Sequence, residues 1–512
     1  MRHLPKLPHC PTAVSVNILL LVSFAYLSSA VFAQSQALVT STTQQPKKIC
    51  VDDYGETIWN YEAEDARFMG DIYAANQLPG HTGKGYVTGF ERDDDAVEFA
   101  ICVPTEGFYD LNFVTAVDSG ERKNNFVYID GEQVGSVNAK STNFSDSILQ
   151  RTFLSAGQHN VTYSTHWGWV SLDRLQIRPA PNLDQKIFEV PATLVNPNAT
   201  PGTRQLMDFL VQTYGHYIIT GQHTTRGVNG LEFSAIRSMT RRNPAVIGLD
   251  LIDYNPSWIT RGTHRGAVEQ AITFHQQGGI VMIYWHWVPP EEYLTGTWYR
   301  GFYADETNID LEKILNGEDE RGRALLMRDI DTIAIQLLRL QDAGVPVLWR
   351  PLHEASGKWF WWGSAGPEAQ IKLWRIIYHR LTCYHGLNNL IWLWNGEDAD
   401  WYPGDDYVDI IGEDIYADED AHGSQIGRFL QAQSYTATPK IVVLSENGAF
   451  FDPDLAVRDG AMWGFFAAWS ETPSPKDSHL RYYPETYLQR HMIQHVYAHE
   501  QTLTLEDLPE HL

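Results

Sequence analysis

The sequence predicts two folds in tandem, an all-β jelly-roll sandwich followed by an eight-stranded parallel (β/α)8 TIM barrel. Three observations predict this. From about Thr203, short apolar runs alternate with longer helical patterns, the texture of a parallel sheet covered by helices. Eight such runs over about 300 residues fit a closed barrel better than a doubly wound sheet, and no G-x-G-x-x-G follows any of them. Before them, from about Cys50 to Arg178, the apolar residues instead alternate with polar ones between Gly, Asn and Asp turns.

In chain order, Arg2 and Lys6 precede an apolar run from Val16 to Val31, and Val31-Phe32-Ala33 closes it with small residues. This reads as a secretory signal over residues 1–33. A membrane anchor is the alternative, but the run is short and no basic stop-transfer cluster follows. Strands such as Ala96–Ile101, Asn125–Ile129 and Asn160–Tyr163 then predict the sandwich over residues 50–178. Residues 179–201, with five prolines and little periodicity, read as a connector.

The barrel is expected over residues 202–505. Its strands are predicted at His216–Ile219, Ala245–Leu249, Ile280–Tyr284, Val345–Trp349, Leu390–Trp394, Val408–Gly412, Ile441–Leu444 and Met462–Ala468. Helices are predicted at Ala267–His275, Leu325–Gln341, Glu368–Tyr384 and Glu485–Ala498.

Composition narrows the partners. A net charge of −25, from 38 basic and 63 acidic residues, argues against nucleic acid and for neutral or cationic partners. The 17 Trp, 25 Tyr and 21 Phe supply flat apolar faces suited to sugar rings, although a large core would use them equally well. Of the 4 cysteines, Cys10 falls in the signal. Cys50 and Cys102 are candidates for pairing in an oxidising compartment, and Cys383 is expected as a small buried hydrophobe.

Barrel enzymes carry their chemistry at the C-terminal ends of the strands. Those ends read Gln222-His223, Asp250, His286-Trp287, His353-Glu354, Asn395, Asp414 with Tyr416, Glu446 and Trp469. Each has a structural alternative as a helix cap or a satisfied core residue, but eight polar or aromatic ends together favour a site. Glu354 and Glu446 each follow an apolar run, where a carboxylate is costly without a task or a partner. Glycosidic hydrolysis needs one carboxyl to protonate the departing oxygen and another to attack or to direct water, so these two are the catalytic candidates. An ion pair with Arg350 is the structural alternative.

The motifs then become specific: Trp-Arg-Pro-Leu-His-Glu ending at Glu354, Trp359 five residues on, Gly-Glu-Asp-Ile-Tyr at Gly412–Tyr416, and Leu-Ser-Glu-Asn-Gly at Leu444–Gly448. Most of residues 200–500 resembles glycoside hydrolase family 26, retaining (β/α)8 enzymes acting on β-mannans. The resemblance implies Glu354 as general acid/base and Glu446 as nucleophile. It also implies that His286, His353, Trp359, Tyr416 and Trp469 contact the sugar at the cleavage point, with Arg350 orienting the carboxyls. Trp287, Trp298 and Trp362, on loops beside them, are candidates for stacking on neighbouring sugars, with ordinary loop packing the equal alternative for each. Glu413 departs from the family pattern, in which an apolar or aromatic residue is expected. No cofactor is implied for catalysis.

Residues 50–178 resemble a family 35 carbohydrate-binding module through Tyr61-Glu62-Ala63-Glu64, Gly80–Tyr86 and Trp169–Leu175. That resemblance implies a structural Ca2+ held by Glu62, Glu64 and Asp173, although solvated strand-end acids would look alike. Trp167 and the surroundings of Asn124 are the expected sugar contacts. Asn143 and Asn160 begin glycosylation sequons. The expected protein is a secreted, extracellular monomer acting on plant cell-wall mannan, with no nucleic-acid or membrane partner. The competing readings are a retaining xylanase or β-glucanase of the same clan, and a barrel that only binds glycan.

Overall fold

The computed structural model describes residues 58–166, 169–418, 421–469 and 489–510. The expected signal segment, Cys50 and Trp167 lie outside the described residues.

The first half is a two-sheet antiparallel sandwich. One sheet runs in the order Tyr73–Ala75, Tyr86–Thr88, Ser171–Pro179, Gly107–Ala116, Ser145–Leu154, with Trp59–Glu62 paired to Ser171–Pro179. The other runs Arg67–Met69, Ala96–Val103, Gly157–Thr165, Lys123–Ile129, Glu132–Ala139. Inward residues such as Val97, Phe99, Leu111, Phe113, Val161 and Leu175 form one core, with their exposed neighbours on the outer faces. Cys102 is disulfide-bonded.

The connector is no free spacer. Asn196 is buried and donates to the Leu387 carbonyl, while the Val195 amide donates to Asp409. Thr200 then caps the helix Pro201–Thr213 by accepting from the Thr203 amide, with Pro201 at the first turn where a missing N–H costs nothing.

The closed parallel barrel has strands β1 Gly221–His223, β2 Val246–Asp250, β3 Ile280–Trp285, β4 Val347–Pro351, β5 Leu390–Trp394, β6 Ile410–Ile415, β7 Ile441–Asn447 and β8 Phe466–Ala468. Strands such as β3 are buried along their whole length, because side chains fill the inside and helices cover the outside. Gly412 lets β6 close on β7, since a Cβ there would stand 2.5 Å from the Ser445 hydroxyl.

Two expectations need correction. The run His216–Ile219 is not the first barrel strand: Ile218–Ile219 pairs with Thr502–Leu503 in a separate small sheet, and β1 is the polar Gly221-Gln222-His223. The tail beyond the barrel completes that pairing, a contact that no local pattern announces. Cys383 is exposed, because the helix Pro367–Tyr378 passes into a wider π-turn, His379–Tyr384, at the surface. The final helix spans Arg490–Ala498, and the expected start at Glu485 lies outside the described residues.

Candidate active site

The barrel mouth is built on Arg350, enclosed inside β4. Its guanidinium donates to Glu446 Oε1 at 2.7 Å, to Asp414, and to Asn395 Oδ1 at 2.7 and 3.1 Å. Asn395 in turn donates to the Gly412 carbonyl at 3.1 Å, so β4, β5, β6 and β7 share one polar knot. Tyr416 donates to the other oxygen of Glu446 at 2.7 Å. Burial pushes the Glu446 carboxyl up, but the Arg350 charge and the hydrogen bonds from Tyr416 and Arg350 outweigh it, leaving the group below its ordinary value and ionised.

Glu354 shares the burial but lacks the direct contact with Arg350. After Pro351 the chain turns through two left-handed residues, Leu352 (φ 51°) and Glu354 (φ 52°), which bring Glu354 over the mouth. Its amide donates to the Asn395 carbonyl at 2.8 Å, and its Oε2 accepts from the Trp359 indole at 3.0 Å. Burial first, then the charges of Glu446 and Glu397, raise its carboxyl to about 8 despite Arg350. Near neutral pH the pair therefore holds one proton, and Glu354 carries it.

A second chain of contacts orients the histidines. Asp250 accepts from His286 Nδ1 at 2.7 Å, and His286 Nε2 lies 3.2 Å from His353 Nε2. Either ring can supply the proton shared between the two Nε2 atoms. Burial, with Arg350 and His286 nearby, keeps His353 well below its usual value and neutral. His223 is likewise held neutral by burial, at about 4, and its Nε2–H donates to the Ser445 carbonyl at 2.9 Å. Trp469 packs on His223 and Tyr284, with ring centroids 4.9 and 5.7 Å apart, and floors the mouth.

The structure thus brings together Glu354, Glu446, Arg350, His286, His353, Trp359, Tyr416 and Trp469. It separates two expected sugar contacts from them. Trp287 is 0% exposed, stacked on Trp285 with its indole bonded to Asp329. Trp362 is equally enclosed and donates to the His353 carbonyl at 2.9 Å, so it clamps the loop that carries Glu354. Trp298 packs against Trp258 and the Arg261 guanidinium. Glu413 is accounted for: it is buried and pairs with Arg428 of the helix Ile426–Gln433.

In the sandwich, Glu62, Glu64 and Asp173 converge on the Thr82–Gly85 turn. Glu62 accepts from the Thr82 hydroxyl, Glu64 Oε1 from the amides of Lys84 and Gly85, and Asp173 from Thr82 and Arg174. Glu64 Oε2 is buried with no hydrogen-bond partner, and a Cβ on Gly83 would stand 2.4 Å from Glu64 Oε1. An orphaned carboxylate oxygen beside a cramped glycine fits a cation; Asp173, already paired with Arg174, fits less well. Asn124 lies on the sandwich face toward the barrel, bonded to Ser136 and Asn138, and lines the cavity beside Glu354. Trp169 shows an aromatic face that the sequence did not single out for binding: it is 66% exposed, with the Lys123 ammonium 5.2 Å from its ring.

A parallel barrel whose strand tops hold one ionised and one protonated carboxyl, edged by aromatic rings, is the frame of a glycoside hydrolase. The chain belongs to glycosyl hydrolase family 26, which residues 195–494 match, while residues 59–180 match carbohydrate binding module family 35. It is 38% identical over 416 residues to a mannan endo-1,4-beta-mannosidase of Thermothelomyces thermophilus, covering 80% of this chain and 84% of that one. A mannan endo-1,4-beta-mannosidase B of a Piromyces species is 34% identical, with 88% and 77% covered. The GH26-CBM35 beta-(1,4)-mannanase of Podospora anserina superposes with a TM-score of 0.60 at 36% identity, covering 89% of this chain and 99% of that structure.

Proposed function

We propose that this chain is a secreted endo-β-1,4-mannanase that hydrolyses mannan, galactomannan or glucomannan with retention of anomeric configuration. The opposite ionisation of Glu354 and Glu446 carries the mechanistic reading, and the mannan-cleaving relatives support the substrate. Glu446 attacks the anomeric carbon as the glycosidic C–O bond breaks, and Glu354 gives its proton to the departing oxygen. In the second step Glu354 takes a proton from water, whose oxygen displaces Glu446 from the same carbon. His286, His353, Trp359, Tyr416 and Trp469 contact the sugar at the cleavage point, with Arg350 orienting Glu446. Trp287 and Trp362 serve from behind, as supports.

The proposed organisation is a signal over residues 1–33, a glycan-binding module over 50–178, a connector over 179–201 and the catalytic barrel over 202–505. A structural Ca2+ at Glu62 and Glu64, with Asp173 at its edge, belongs to the same reading, as do an extracellular location and a monomeric state. Among the described residues no helix is long and apolar enough to cross a membrane. Reducing-sugar release from a polysaccharide panel tests the substrate: galactomannan and glucomannan should be cleaved fastest. Cleavage of xylan or carboxymethylcellulose at an equal or higher rate would overturn it.

A further inference from the structure

The space beside Glu354 is walled by both halves of the chain. A cavity of about 260 Å3 is lined by Glu354, Glu397 and Tyr416 on the barrel side and by Arg122, Phe126 and His166 on the sandwich side. Three non-glycine residues with left-handed backbone border it: Glu354, Glu397 (φ 60°) and Gln425 (φ 59°). Such conformations persist where the surroundings over-determine them, and they gather at functional sites.

Glu397 stands at the centre of this arrangement, 5% exposed, just past the end of β5. One carboxylate oxygen accepts from the Asp414 amide at 3.2 Å, and the other lies 3.4 Å from the Arg122 guanidinium. Arg122 also donates to the Glu397 carbonyl at 2.5 Å, and Tyr435 donates to the same carbonyl at 3.0 Å. A sandwich arginine thus fixes both the backbone and the side chain of a glutamate whose oxygen lies within 4.8 Å of oxygens of Glu354 and Asp414.

We propose that Arg122 of the sandwich and Glu397 of the barrel form one positioning unit for the catalytic acid, which makes the module part of the active site. The proposal rests on Glu354 being the acid/base. The groups facing Glu354 are Glu446 from β7, Asp414 from β6 and Tyr416 just beyond it, Arg350 from β4, Tyr303, and Glu397. Facing Glu397 are Arg122, Glu413, Asp414, Arg428, Tyr435 and Glu354. Arg350 is spent on Asp414 and Glu446, and Arg428 on Glu413, so Arg122 is the cation in direct contact with Glu397. In the covalent intermediate Glu446 is esterified and its charge is gone. The Glu397 carboxylate then keeps Glu354 basic enough to deprotonate water, and Arg122 sets how much of that charge Glu354 feels.

The test is the pH dependence of kcat/KM in the full-length chain for Glu397→Gln, Arg122→Gln and Arg122→Lys. Removing the Glu397 charge should make Glu354 easier to ionise and move the alkaline limb to lower pH by about half a unit or more. Removing Arg122 leaves that charge unscreened and should move the limb to higher pH. Arg122→Lys should restore the wild-type limb. With an activated aryl mannoside, Glu397→Gln should also accumulate the covalent intermediate. Thermal melts establish that each variant is folded, and if Arg122→Gln is not, the Glu397→Gln limb decides alone. Unmoved limbs in folded variants, or limbs moving the same way, overturn the proposal. Glu354→Gln separates this from the assignment beneath it: near wild-type turnover in that variant removes Glu354 as acid/base, whereas an inactive Glu354→Gln with unmoved limbs removes only the Arg122–Glu397 unit.

Discussion

Among the described residues, Glu446 receives a charged hydrogen bond on one oxygen and a phenol on the other, while Glu354 receives one indole N–H. This difference in donors assigns the roles and can be tested by deletion. Glu446→Ala should cost about three orders of magnitude or more in kcat with the fold intact, because the ester cannot form. Glu354→Ala should still form the intermediate from a substrate with an activated leaving group, giving a burst, and added azide should release a β-mannosyl azide. An α-azide from that variant would exchange the two roles. Ionisation also bears on stability. The folded value of Glu354, about 8, lies above its ordinary 4.5, so its contribution is present at acid pH and is lost as pH rises through about 8. Glu354→Gln cannot ionise, so its melting temperature should gain on the wild type as the pH is raised from 5 to about 9, a trend that flat differential scanning curves would refute.

At the scale of elements, the helix Ile426–Gln433 joins the barrel to the sandwich. Gly427 permits the contact, since a Cβ there would stand 2.7 Å from Leu149 of the sandwich strand Ser145–Leu154. The next residue of the same helix, Arg428, neutralises Glu413 in β6, and both side chains are buried. Breaking such a pair from one side leaves a buried charge, so Arg428→Met should destabilise the protein by about 3 to 5 kcal/mol. Glu413→Gln combined with Arg428→Met should recover a large part of that loss. Urea midpoints for the three variants measure both effects, and strict additivity of the single losses would deny the coupling.

Across the whole molecule, the sandwich and barrel share further polar contacts. Tyr128 donates to Asp418 at 2.6 Å, Lys140 to Asp400 at 2.5 Å, and Arg151 to the Asp459 carbonyl at 3.0 Å. The proposed calcium turn at Thr82–Gly85 is built from sandwich residues alone, so the ion and the chemistry are separable. Chelation by EDTA should lower the melting temperature while initial rates well below it stay within about twofold. A rate abolished at low temperature by chelation, and restored by Ca2+, would place a metal in catalysis instead.

The sequence by itself determined the barrel, the sandwich and the strand-top residues Glu354, Glu446, His286, His353, Tyr416 and Trp469. Those signals are local: an apolar run marks a buried strand, and the polar residue ending it must face the mouth. Only the tertiary structure decided which aromatic rings meet solvent, because Trp287 and Trp362, expected on loops like Trp359, turn into the core, Trp362 from the short helix Trp361–Ser364. It also resolved Glu413, whose partner comes from the helix after β6, and it moved the first barrel strand from an apolar run to the polar Gly221–His223. The Arg122–Glu397 contact is the extreme case. Its partners are 275 residues apart, each looks like an ordinary surface charge in its own segment, and only the packing of one module on the other brings them together.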